Sequence, residues 1–249
     1  NHVNQNNSSY IYMAIRRPDG YVGKPYGAGE GTSVFAMDTG NNSYPSFTSN
    51  FPVDFGVLRQ PATSENWWNG ARLMGEHALR FNGSEAEVDD ANITFDRNDG
   101  WYGGGGTNKN SNYQSWMWKR HAGFDVVTYD GNDTNNRQIP HSLSKTPEMI
   151  WTKNRDATED WVVYHKDLTS SNFLRLNLTN SEGYNNAVYE GNPAVAPTST
   201  HWQIGDNDFV NDNNKSYIAM LFSSVDGISK VGYYDGSNSS QTISTGFAP

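Results

Sequence analysis

Apolar residues along this chain recur mostly at every second position, in runs that are short. Leu174, Leu176 and Leu178 alternate with Phe173, Arg175 and Asn177, and Leu79 and Phe81 alternate with Arg80 and Asn82. Period two is the signature of a strand with one face on a core. The run Phe124-Asp125-Val126-Val127-Thr128-Tyr129 ends on Asp130-Gly131, a turn pair that terminates strands. Residues 149–153 and 161–165 flank the polar stretch 154–160, which predicts a hairpin. Tyr217 to Phe222 is almost wholly apolar, as a strand covered on both faces is. Helical periodicity is scarce. Short strands separated by turns roughly every eight to twelve residues predict an all-β, antiparallel sandwich.

The pattern also repeats at about a hundred residues. SSYIYMAIRR around Tyr10 returns as SNYQSWMWKR around Tyr113 and as KSYIAMLFSS around Tyr217. Asn66-Trp67 matches Asp160-Trp161, and the stretch 78–82 matches 173–177, so that Arg80 and Asn82 correspond to Arg175 and Asn177. A unit of that length buries a core of its own, unlike the shorter units of solenoids and propellers. The expected organisation is tandem sandwich domains in a string: 31–122 as the first and 123–226 as the second. Residues 1–30 read as the closing strand of a preceding unit plus a linker, and 227–249 as the opening strands of a following one. A chain opening on Asn1 reads as processed or excerpted. If these ends are merely where a longer chain was cut they imply no assembly; if they are the subunit's own, the expected assembly pairs residues 227–249 of one subunit with 1–20 of the next.

Composition narrows the class. About thirty Asn, 24 Gly and 13% aromatics against 35% hydrophobic residues suit a turn-rich β protein, because Asn and Gly supply turns and the rings suit a half-buried pleated face. The absence of cysteine excludes disulfides and thiolate metal sites. A net charge of −9 argues against nucleic acid as a partner, and no apolar run approaches the roughly 18 residues of a membrane span.

The strings YIYMAIRRP, GFDVVTYDG, PEMIWTKNRD, DWVVYHKDL, SYIAMLFSSVDGISKVGYYDG and TGFAP resemble the tandem repeats of virion structural and tail-fibre-like proteins of aquatic bacteriophages. That family is grouped as a domain of unknown function with a concanavalin A-like (lectin- or glucanase-like) sandwich, so the resemblance covers nearly the whole chain from Tyr10. It implies an extracellular or virion location, self-association or contact with other virion proteins, and adhesion to host cell-surface carbohydrate. It brings no catalytic set.

Features shared by both units read as scaffold, and those found in one unit are where a specific function can sit. Trp101 and Tyr102, on the glycine stretch 103–106, have no counterpart in the second unit and are the candidate glycan contacts, since an exposed indole and phenol stack on sugar rings. The alternative is a hairpin tip whose rings tuck back on the sheet. Asp206, Asp208 and Asp212 offer oxygen ligands of the kind Ca²⁺ takes, but without the calcium-loop spacing; a solvated turn is the plainer reading and no cofactor is required. Glu85, Glu87 and Asp89 would share a strand face at period two, as glycosidase carboxylates do. No apolar neighbours are evident to set their proton affinities apart, so an acidic loop is favoured. The six His are scattered, and no serine elbow is present. The chain is therefore expected to be a non-enzymatic appendage protein with glycan adhesion. A glycan-cleaving depolymerase and a spacer subunit assembling by strand addition are the alternatives.

Overall fold

A computed structural model describes residues 4–15, 33–104 and 109–247. The described chain is almost entirely antiparallel strand, and it builds a layered all-β sandwich. The first six-stranded sheet runs in the order β2 (Phe35–Thr39), β10 (Gln114–Trp118), β4 (Phe55–Arg59), β5 (Trp68–Ala71), β6 (His77–Arg80) and β7 (Val88–Asp89). The second runs β11 (Phe124–Asp130), β18 (Ser216–Phe222), β13 (Met149–Asn154), β14 (Val162–His165), β15 (Asn172–Arg175) and β16 (Gly183–Tyr184). In each, the last long strand inserts between the first strand and the hairpin that follows it. The predicted hairpin is β13 and β14, with Met149 opposite His165.

The two sheets face each other over one shared cluster. Phe35, Phe55, Val57, Leu79 and Trp118 of the first meet Phe124, Met149, Val163, Met220 and Phe222 of the second, with the Phe55 and Phe124 rings stacked at 5.8 Å. The two sheets thus share one core, to which each lends its inner face. Two smaller layers cover the outer faces. β3 (Phe47–Thr48), β9 (Gly100–Gly103) and β8 (Ile93–Thr94) lie over the first sheet. β12 (Arg137–Pro140) and β17 (His201–Ile204) lie over the second. This explains the apolar run in β18: Ile218, Met220 and Phe222 point to the shared core, while Ala219 and Leu221 point to the outer one.

β1 (Ser9–Ile15) and β19 (Ser229–Asp235) pair with each other in a two-stranded ribbon. Tyr10 lies opposite Tyr234 with rings stacked at 5.1 Å, as Tyr217 lies opposite Tyr129 at 5.2 Å in the β11 and β18 pair. Val231, with Ile11 and Met13 beside it, packs on the shared core. The alternation from Leu174 does not continue as a strand: β15 ends at Arg175, and Leu176 and Leu178 are exposed. The chain is turned there because the Leu176 N–H bonds the Trp161 carbonyl and the Asn177 side chain takes the Trp161 N–H.

Candidate functional site: an aromatic cleft on the first sheet

Trp101 is fully buried, so the expected exposed indole is not where a ligand could stack on it. Within β9 the side chains alternate, and Trp101 takes the inward position, against Phe95 at 5.2 Å and Phe47 at 6.1 Å. Its Nε1–H donates to Ser115 Oγ at 3.0 Å, which satisfies the one polar atom such a ring carries into a core. The chain makes room for it at Gly56, where a Cβ would come within 2.4 Å of the indole. Tyr102 takes the outward position, half-buried, beside the exposed ring of Tyr44 at 5.7 Å. Gly105 and Gly106 lie outside the described residues.

Beneath this layer the first sheet keeps an open cleft of about 310 Å³. Trp68, Tyr113, Val88 and Ile93 give it apolar walls, with Trp101 at its back. Trp68 stands on the outer face of β5, opposite Leu58 on one side and Arg80 on the other. The Arg80 guanidinium lies 4.6 Å over the indole and bonds Glu85 at 3.1 Å, which fixes the ring's far side. Lys109 is buried, its ammonium 4.6 Å over the Tyr113 ring; burial pulls its pKa down, and Asp90 and Glu65 partly offset that. Asp90 is held by the N–H groups of Asn92, backbone and side chain, both at 3.1 Å. Asp89 is exposed at the mouth, 2.9 Å from His77 Nε2. The cleft therefore combines two ring faces with carboxylates and one ammonium.

The second sheet is built differently at the matching place. The residue after Trp161 is Val162, where the first sheet has Trp68 after Trp67, and Val162 is buried under Tyr189. The Tyr189 hydroxyl shares its one proton between Thr152 Oγ1 at 2.8 Å and the Val162 carbonyl at 3.2 Å, plugging that face. Laying the two stretches over each other pairs Trp67 with Trp161 and leaves Trp68 against Val162, and that mismatch is the mark of the cleft in the sequence.

The other candidates are occupied structurally. Glu87 makes a two-pronged ion pair with Arg155, at 2.7 and 3.0 Å, and Glu85 is engaged by Arg80, so this stretch clamps sheets together instead of presenting an acid and a base. β7 contains only Val88 and Asp89, so the three acids do not share one strand face. Asp206, Asp208 and Asp212 do not converge: among the described residues no group of three or more His, Asp or Glu is placed to hold a metal ion. Their loop is shaped by the Tyr217 hydroxyl, which donates to the Asp208 carbonyl and accepts the Asp212 N–H, both at 2.8 Å.

The structure is an all-β sandwich with an aromatic-walled cleft on its first sheet. The chain belongs to the family described as Domain of unknown function (DUF7483), whose model matches residues 39–249. No curated protein and no solved structure matches it. Among the described residues no helix is long and apolar enough to cross a membrane.

Proposed function

We propose that this protein is a non-enzymatic adhesion module of a virion appendage, built of two tandem units, that binds host-surface carbohydrate in the cleft of its first sheet. The observation that carries the reading is the pairing of Trp68 and Tyr113 with Glu65, Asp89 and Asp90 around one concavity. Ring faces stack on the apolar side of a pyranose, and carboxylates accept bonds from its hydroxyls. The acidic rim and the net charge of −9 select neutral or amino sugars over sialylated or uronic ones. The resemblance to tail-fibre-like repeats supports the virion setting, and the identical strand orders of the two sheets support the duplication.

The test is binding of the purified chain to arrayed glycans, with Trp68→Ala and Tyr113→Ala beside the wild type. Loss of about tenfold or more in affinity in either variant is expected. A wild-type chain that binds no sugar, or variants that bind unchanged, would overturn the assignment. Release of reducing ends from a bound polysaccharide would convert the reading to a depolymerase.

A further inference from the structure

We infer that the seam between the two sheets forms a second carbohydrate site, specific for uncharged sugars. A shallow groove of about 280 Å³ opens there, lined by Trp67, Phe81, Asn82, Trp151, Leu176 and Asn177. It shares no residue with the cleft. It also stands without the cleft reading, since the observations behind it are different.

The groove arises from how the corresponding motifs meet. Phe81-Asn82 and Leu176-Asn177 occupy matching positions in the two units, and the face-to-face packing of the sheets brings them to opposite sides of one depression. Each asparagine already uses half its capacity. Asn82 accepts the Trp67 N–H at 2.9 Å and donates to Asn66 Oδ1 at 2.9 Å. Asn177 accepts the Trp161 N–H at 3.1 Å and donates to Asp160 Oδ1 at 2.8 Å. A primary amide has two donors and two acceptor lone pairs, so each retains one N–H and one lone pair. These amides are fixed in orientation by the bonds they already make, which is what selective recognition of hydroxyls requires.

The apolar part of the groove is equally fixed. Trp67 lies against Trp116 at 5.3 Å with the Arg59 guanidinium 4.7 Å over its ring, and Trp151 is held by Phe222 at 4.6 Å and Phe81 at 5.4 Å. Both indoles are only half-buried, and Leu176 is exposed. Rigid indoles beside pre-oriented amides suit a ring with one apolar face and equatorial hydroxyls. None of the six lining side chains is charged. An anionic or cationic sugar would lose hydration there with no lining side chain of opposite charge to pair it, which is the basis for the neutral class.

The experiment is a titration of the wild-type chain with maltoheptaose, cellopentaose and a β-1,3-linked galactan oligomer, followed through the indole N–H resonances by NMR. Saturable shifts at Trp67 and Trp151 with at least one of the three are expected. Shifts confined to Trp68 would leave the cleft standing and overturn the seam site, and so would the absence of any indole shift. As a second arm, Leu176→Asp places a charge at an exposed groove position. It should weaken the seam titration by on the order of tenfold or more while leaving Trp68 shifts unchanged. An unaltered titration in that variant also overturns the site.

Discussion

Asn177 accepts the backbone N–H of Trp161 through its side-chain oxygen at 3.1 Å, and the same bond joins Asn82 to Trp67 at 2.9 Å. In both places the asparagine's own N–H₂ reaches the residue before the tryptophan, Asp160 in one and Asn66 in the other. The difference between those two acceptors makes a prediction. Changing Asn82 to Asp leaves Asn66 free to turn its amide and donate. Changing Asn177 to Asp sets a carboxylate against that of Asp160. Asn177→Asp should cost about 1 kcal/mol more than Asn82→Asp at neutral pH, even with Arg175 3.0 Å from Asp160. Urea unfolding of both variants at neutral pH checks it.

Glu87 and Arg155 join the two sheets. Beyond their paired side-chain bonds, the Glu87 N–H donates to the Arg155 carbonyl at 2.8 Å, and only 14% of either side chain is exposed. Removing the acid strands a guanidinium with little water around it. Glu87→Ala should cost about 3 kcal/mol, and Glu85→Ala, which releases the more exposed Arg80, less than about 1 kcal/mol. Thermal melts of the two variants decide the point. Equal and small losses would mean that Glu87 is not a clamp.

Much of this fold was legible in the sequence because sheets impose period two and because the two units can be laid over each other. The hairpin of β13 and β14 and the double-sided burial of β18 follow from their patterns alone. The matching of Asn66-Trp67 with Asp160-Trp161 led directly to a shared hydrogen-bond motif. What alternation does not reveal is which side of a short strand a third layer will cover. In β9 the residues flanking Trp101 and Tyr102 are glycines, so no neighbour marks the inner face, and the expected exposure of both rings fails for Trp101. The shared core was hidden for a related reason. A strand buried by a neighbouring unit and one buried within its own unit carry the same apolar pattern.

Gly56 and Trp101 make the burial of that ring testable. A methyl at position 56 would lie 2.4 Å from the six-membered ring of the indole, in a region where Trp101 is enclosed by Phe47 and Phe95. Gly56→Ala should cost about 1 to 3 kcal/mol through overpacking. Trp101→Phe should cost a comparable amount, because it vacates volume and leaves Ser115 Oγ without the indole N–H. The smaller ring makes space for the added methyl, so the double variant should be more stable than the sum of the single losses by about 1 kcal/mol. Strict additivity in denaturant unfolding would mean that the two positions are not in contact.

Lys153 carries the pH prediction. Its side chain is fully buried, and its ammonium donates to the carbonyls of Asn154 at 2.6 Å and Ala157 at 3.0 Å. Burial lowers its pKa to about 8, with Glu159 and Asp160 partly opposing the shift. In the unfolded chain the same amine holds its proton up to about pH 10.4. Between those values the unfolded state binds more protons than the folded one, so this residue's contribution to stability rises with pH across that window and is least favourable below it. Lys153→Met removes the titration. The stability of the wild type relative to Lys153→Met should therefore increase from pH 7 to pH 10, by up to about 3 kcal/mol. Buried tyrosines such as Tyr129 and Tyr189, whose pKa values burial raises, are common to both chains and cancel in the difference. Unfolding free energies measured for both chains at the two pH values give that difference directly. A value that does not change with pH would show that Lys153 reaches water in the folded protein and that the turn at 154–160 is not built over a buried cation.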